Sequence, residues 1–332
     1  MSPELKICND ATIMCFGSNI VWSESKHSTW ASVIPSDNSY NIIWDCFHGR
    51  EFWPKPTNVK HLADPYPEKI DKGYLFCSSS WSANFQHFLQ DTLPKMFSYK
   101  QEVLDKGIDI PILIPDPLNN NLTREMLDII EIPRNRAVWL ARDGQFMVKE
   151  MYYTPFHSWD CSDFPFECLK QIHIKCNRLY TSSVTNPNIY ISRNKERIDK
   201  ENNNNANGVS RVMSNEKEFS ETLDRFGFQT LRLGSSTIKE KCELMHNTKT
   251  IVVPSGAGVM NLLFTRGLKN LIVLDSGCGK FLVRGWEKLL ECIYGEECKY
   301  TYIKSPVSSA GHLQKPFTID IKSVSKAIER AS

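Results

Sequence analysis

The chain has 332 residues, 41% of them hydrophobic and 23% charged, with a formal net charge of +2. Its length suits two domains with large cores, and its near-neutrality excludes nucleic-acid binding through bulk charge. The eleven cysteines show no C-x-x-C spacing, so they read as small buried apolar side chains and not as disulfides or zinc ligands.

The opening MSPELKICNDATIMCF lacks the basic and apolar regions of a signal or transit peptide. No apolar run approaches the roughly 18 residues of a membrane span, so a soluble, cytosolic protein is expected. IVW at 20–22, WASVI at 30–34 and NIIWDCF at 41–47 are β-like runs of an N-terminal layer. Residues 54–72 contain Pro54, Pro56, Pro65 and Pro67 and read as a loop, and 73–80 (GYLFCSSS) as a strand entering a polar turn. Residues 81–100 follow as a helix. Phe85, Phe88, Leu89, Leu93 and Met96 share its apolar face, while Asn84, His87 and Asp91 fall together on another. That second face is either a solvated stripe with an ordinary i,i+4 pair or a set of acid, base and amide groups aimed one way.

IPILI at 110–114 reads as a strand, 123–130 as a helix, and AVWL at 137–140 and QFMVKEMYY at 145–153 as strands. This alternation predicts a parallel sheet of βαβ units. Residues 154–168 read as a Pro- and aromatic-rich crossing, 169–180 as a helix and 181–187 as a linker. A second series opens with NIYIS at 188–192, with Arg193 at the strand's C-terminal end, where open α/β sheets bind ligands. The asparagine-rich 194–208 reads as a mobile loop. Ser214 is expected to N-cap a helix running to Phe226. Residues 228–233 read as a strand, 237–247 as a helix, 271–274 as a strand, 281–293 as a helix, 300–304 as a strand and 323–330 as a terminal helix.

The most informative stretch is TIVVPSGAGVMNLLFT at 250–265. Thr250 to Val253 form a buried strand that Pro254 ends. Ser255-Gly256-Ala257-Gly258 make a turn with almost no side chains, and Val259, Leu262 and Leu263 follow at helical spacing. Strand, glycine turn and helix start together present backbone N–H groups to an anion such as a diphosphate. The same pattern also occurs as a plain tight turn.

Three blocks resemble glycosyltransferase family 61, which includes plant cell-wall xylosyl- and arabinosyltransferases and animal O-linked N-acetylglucosaminyltransferases. Asn84 to Asp91 with Leu93-Pro94 is similar to the family's N-x-x-H-x-x-x-D…LP signature. Tyr190-Ile191-Ser192-Arg193 with Arg211 and Asn215-Glu216 resembles ISR…R…NE, and Pro254 to Phe264 is close to PHGAGLTNLLF. Ser255 stands where the family usually has histidine.

The resemblance implies an α/β protein of GT-B type, with two Rossmann-like domains of parallel sheet facing a cleft. Residues 1–180 would be the acceptor-side domain, 181–187 the linker, 188–310 the nucleotide-sugar-binding domain, and 311–332 a tail and helix able to pack back on the N-terminal domain. It implies inverting transfer from a UDP-sugar, xylose ahead of N-acetylglucosamine, to a glycan or glycoprotein hydroxyl. Asp91 would be the base and His87 its close rival, with Asn84 and Trp81 on the acceptor side. Arg193, Arg211, Ser255, Gly256, Ala257, Gly258, Asn261 and Asp275 would hold the donor, Asp275 through a ribose hydroxyl. Trp159 and Trp286 are further stacking candidates. The chain has no Asp-x-Asp pair, the usual holder of a diphosphate-bound metal, so no metal or cofactor is expected. No nucleic-acid partner is expected either. The absent leader suggests a cytoplasmic enzyme of a microbe or virus acting outside the secretory pathway. The alternatives are a non-catalytic glycan- or nucleotide-binding module and, on Gly256-x-Gly258 followed by Asp275, an NAD(P)-dependent oxidoreductase. Asn261 stands where that fingerprint wants its third glycine. A serine hydrolase is disfavoured by the lack of a G-x-S-x-G elbow.

Overall fold

The computed structural model describes residues 4–22, 29–36, 38–39, 67–76, 84–115, 118, 120–141, 144–155, 163–193, 212–275, 281–305 and 316–331. The chain forms two compact units, Met1–Cys168 and Leu169–Ser332. The division falls inside the helix Phe164–Leu179, which starts earlier than its sequence suggested because Pro165 suits a first helical turn. The α/β class with parallel sheets is as expected.

The first unit is a six-stranded sheet in the order β2-β1-β6-β3-β4-β5. Its strands are β1 (Lys6–Trp22), β2 (Thr29–Ser36), β3 (Glu68–Leu75), β4 (Ile112–Pro115), β5 (Ala137–Leu140) and β6 (Gln145–Tyr153). β6, β3, β4 and β5 run parallel. β1 is antiparallel to both β6 and β2, so this sheet is mixed and not purely Rossmann-like. The run at 41–47 lies outside the described residues. β3 begins inside the stretch read as a loop. Its first half, with exposed Lys69, Asp71 and Lys72, pairs among the described residues with β6, and its solvated side chains leave no apolar pattern to read. β3, β4 and β5 step away from β6, so the strand order reverses between β3 and β6. In open α/β sheets a crevice for ligands forms at the carboxyl ends of such strands.

The second unit is fully parallel, in the order β8-β7-β9-β10-β11. The strands are β7 (Asn188–Ile191), β8 (Gln229–Leu231), β9 (Thr250–Pro254), β10 (Asn270–Leu274) and β11 (Lys299–Ile303). β9 and β10 are buried throughout, as continuous apolar runs in a sheet covered on both faces should be. The order reverses between β7 and β9, so the equivalent crevice lies beyond Ile191 and Pro254.

One expectation about the second unit changes. Asn215, not Ser214, is the N-cap of the helix Glu216–Arg225, and it makes no side-chain cap bond. Its amide instead donates to the carbonyl of Ile319 (2.8 Å) and accepts from that residue's N–H (3.1 Å). The terminal helix Ile321–Ala331 packs within the second unit. Its Val324 and Ile328 join Tyr190, Phe219, Leu223 and Val252 in one cluster. An amphipathic helix must bury its apolar stripe, and this core supplies the partner surface. Among the described residues no helix is long and apolar enough to cross a membrane.

Candidate functional site

In the first unit the helix after β3 opens at Phe85, with Asn84 as its N-cap accepting from the Gln86 N–H at 3.0 Å. Asn84 thus caps the helix through its side-chain oxygen and is itself exposed. A π-helical turn, Phe88–Thr92, follows, with the Leu93 N–H reaching back to the Phe88 carbonyl, and then Leu93–Tyr99 in α geometry. Such π turns concentrate at functional sites. Every residue from Phe88 to Tyr99 is buried, so of the polar face Asp91 is withdrawn from solvent while Asn84 stays exposed and His87 half-buried.

Within this turn the imidazole Nδ1 of His87 lies 2.8 Å from Oδ2 of Asp91. A carboxylate only accepts, so Nδ1 donates its proton to this contact. Asp91 is 6% exposed and His87 33%. The imidazole is therefore the member of the pair that a substrate can reach, and the carboxylate orients it from behind.

One turn further on, Lys95 was overlooked by the sequence reading although it lies at i+4 from Asp91. It is 2% exposed and donates to the Thr154 carbonyl at 3.1 Å. The Thr154 hydroxyl bonds Tyr74 Oη at 2.7 Å. Tyr74 is on β3 and Thr154 just follows β6, so Lys95 ties this helix to the point where the strand order reverses. Trp81 and Trp159 lie outside the described residues. Trp286, the third stacking candidate, is a fully buried core side chain.

In the second unit the glycine turn has the expected position but a different helix type. Ala257–Phe264 is a 3-10 helix, whose first bond runs from the Val259 N–H to the Gly256 carbonyl at 3.0 Å. The N–H groups of Ala257 and Gly258 precede that bond, and those of a helix start have no intrahelical partner. Gly256 has φ 124° and ψ −159°, a region open essentially to glycine alone. Gly256→Ala is therefore expected to cost about 1–3 kcal/mol, measured as a lowered urea midpoint. An unchanged midpoint would show that the turn relaxes freely.

Gly258 is closely packed. A Cβ there would stand 3.2 Å from Val253 Cγ2 and 3.6 Å from Arg193 Cδ. The half-buried Arg193 thus lies directly along the glycine turn, at the reversal point of the sheet. Asp275 follows β10, its N–H bonded to the Ile303 carbonyl at 2.8 Å. Its carboxylate accepts from Tyr302, whose hydroxyl is raised above the usual phenol range first by burial and then by this negative neighbour.

Two expected donor contacts face inward. Ser255 is 0% exposed, and its N–H donates to the Leu274 carbonyl at 2.7 Å, so it presents neither group to a ligand. Asn261 is 4% exposed and donates from Nδ2 to the Gly258 carbonyl at 2.8 Å, bracing the turn from beneath. The other end of the 3-10 helix is held by half-buried groups that the sequence did not advertise. His173 Nδ1 donates to the Leu263 carbonyl (3.0 Å) and Tyr294 Oη to that of Leu262 (2.6 Å). Burial lowers the His173 pKa, and the bond to Leu263 opposes that shift without cancelling it. Arg211 lies outside the described residues.

Residues 85–272, more than half of the chain, match the model of the family described as Glycosyltransferase 61. The matched segment runs from the His87–Asp91 helix through the glycine turn into β10. No curated protein matches the chain.

Proposed function

The chain belongs to glycosyltransferase family 61, so its substrates are a sugar donor and an acceptor, and we propose that it is an inverting, metal-independent enzyme using a UDP-sugar. UDP-xylose is the favoured donor, with UDP-N-acetylglucosamine second, and the acceptor is a hydroxyl of a glycan or glycoprotein. The observation that carries the reading is Arg193 lying along the Gly256–Gly258 turn at the reversal point of an all-parallel sheet. A guanidinium and the backbone N–H groups of Ala257 and Gly258 suit a diphosphate, and their charge stabilises it as it leaves.

In this reading the acceptor oxygen attacks the anomeric carbon while the bond from that carbon to the diphosphate oxygen breaks. The acceptor proton passes to Nε2 of His87, and Asp91 stabilises the imidazolium that results. This exchanges the roles expected from sequence, because the exposed member of the pair is the one that can meet an acceptor. The acceptor site belongs to the first unit and the donor site to the second, in a GT-B arrangement. Asp275 is assigned to the ribose, Arg211 to the diphosphate beside Arg193, and Trp81 to the acceptor side. The enzyme is proposed to work in the cytoplasm.

Purified protein should show a raised melting temperature with UDP and should release UDP from one UDP-sugar in a panel. Neither effect with any member would sink the transferase reading. EDTA should leave the rate unchanged. Loss of activity in EDTA, restored by manganese, would refute metal independence, because the charge of the leaving diphosphate would then be carried by the ion.

A further inference from the structure

We propose that Glu216 is a positioning residue of the donor site. It holds the end of β7 from one face so that Arg193 is aimed from the other, and a C-terminal strap holds Glu216 in turn. This rests on the assignment of Arg193 to the diphosphate.

Alternate residues of an extended chain point to opposite faces. Tyr190 and Ser192 form one such pair, and both donate to the same oxygen of Glu216, from Tyr190 Oη at 2.8 Å and from Ser192 Oγ at 2.7 Å. Ile191 and Arg193 form the other pair, and both lie beside Gly258. The Ser192 N–H bonds the Leu231 carbonyl at 2.9 Å, so the chain is still in the sheet one residue before the arginine. A carboxylate accepting two hydroxyls on one side therefore sets the direction in which Arg193 leaves on the other.

Glu216 is itself located by the chain end. Met213 bridges Phe317, with the Phe317 N–H bonded to the Val212 carbonyl (3.0 Å) and the Ser214 N–H to the Phe317 carbonyl (2.9 Å). Asn215 exchanges both bonds of its amide with Ile319. Phe317 and Ile319 are 3% and 2% exposed. The segment 212–215 is thus pinned along its length, and Glu216 is the next residue. Held in this way, Glu216 keeps the guanidinium ready for a diphosphate without touching it.

Hydrogen exchange and UDP titration on the full chain test this with Glu216→Ala, Glu216→Gln, Asn215→Ala and Arg193→Ala. Glu216→Ala should speed exchange at residues 191–193 and weaken UDP binding by about tenfold, the usual order for a lost orienting partner. Glu216→Gln keeps an oxygen that accepts both hydroxyls and should stay within about threefold of the unaltered chain, since it loses only charge assistance. Asn215→Ala should loosen the same three residues to a smaller degree. In the Arg193→Ala background, Glu216→Ala should cost no further UDP affinity, because the two act as one unit.

Unchanged exchange at 191–193 in both Glu216→Ala and Asn215→Ala overturns the proposal, whether or not UDP binds. A loss in Glu216→Gln equal to that in Glu216→Ala also overturns it, because the carboxylate would then act by its charge on the ligand. If the unaltered chain fails to bind UDP, the donor assignment falls alone, and the exchange comparison still decides whether Glu216 sets the end of β7. Should Glu216→Ala fail to fold, the Asn215→Ala and Glu216→Gln comparisons decide the same question.

Discussion

Replacing His87 by alanine is expected to cut sugar transfer by roughly 100- to 10,000-fold, the range that a positioned general base supplies, and to leave UDP affinity unchanged. The imidazole is the more exposed member of its pair, with Nδ1 bonded to Asp91 at 2.8 Å, and Nε2 is the nitrogen proposed to take the acceptor proton. Asp91→Asn should lose activity on a similar scale although it preserves shape. An amide that turns its NH2 toward Nδ1 would force the proton onto Nε2, the tautomer that cannot act as a base. Single-turnover rates on both variants, with UDP titrations as the control, separate the assignments. If His87→Ala turns over near normally while Asp91→Ala is dead, the carboxylate is the base and the imidazole only steadies it.

The second large effect is expected at Arg193. A charge-assisted hydrogen bond is worth about 1.5–3 kcal/mol, so Arg193→Ala should weaken UDP binding by roughly 10- to 100-fold. Arg193→Lys should recover only part of that loss. An ammonium keeps the charge but lacks the planar fork that grips two phosphate oxygens at once. Calorimetric titration with UDP measures both, and melting temperatures check that the fold survives. UDP binding by Arg193→Ala at the affinity of the unaltered chain would remove Arg193 from the donor site.

Much of the second unit was legible because its signals are local. β9 and β10 are short apolar runs between turn residues, and parallel strands covered on both faces have that composition. β6 spans 145–153, as its sequence suggests. The first half of β3 was not legible, because its exposed Lys69, Asp71 and Lys72 give it the composition of a loop. The 3-10 geometry after Gly256 was missed as well. Apolar residues at 259, 262 and 263 satisfy either helix type, and the choice depends on what anchors Leu262 and Leu263 from distant helices.

The sequence alone determined the chemical vocabulary of the site: a histidine and an aspartate four residues apart on a helix, an arginine at the end of a strand, and a glycine turn after a buried strand. Each is a pattern of near neighbours, and backbone geometry within a few residues suffices to read it. Only the tertiary structure decided how those groups are placed. It buried Ser255, Asn261 and Trp286, exposed His87 in preference to Asp91, and recruited Lys95 and Glu216. These outcomes depend on contacts between residues far apart in the chain, such as Asn215 with Ile319, 104 positions away. Whether a side chain faces a ligand or the core is set by what folds over it, and no local pattern records that.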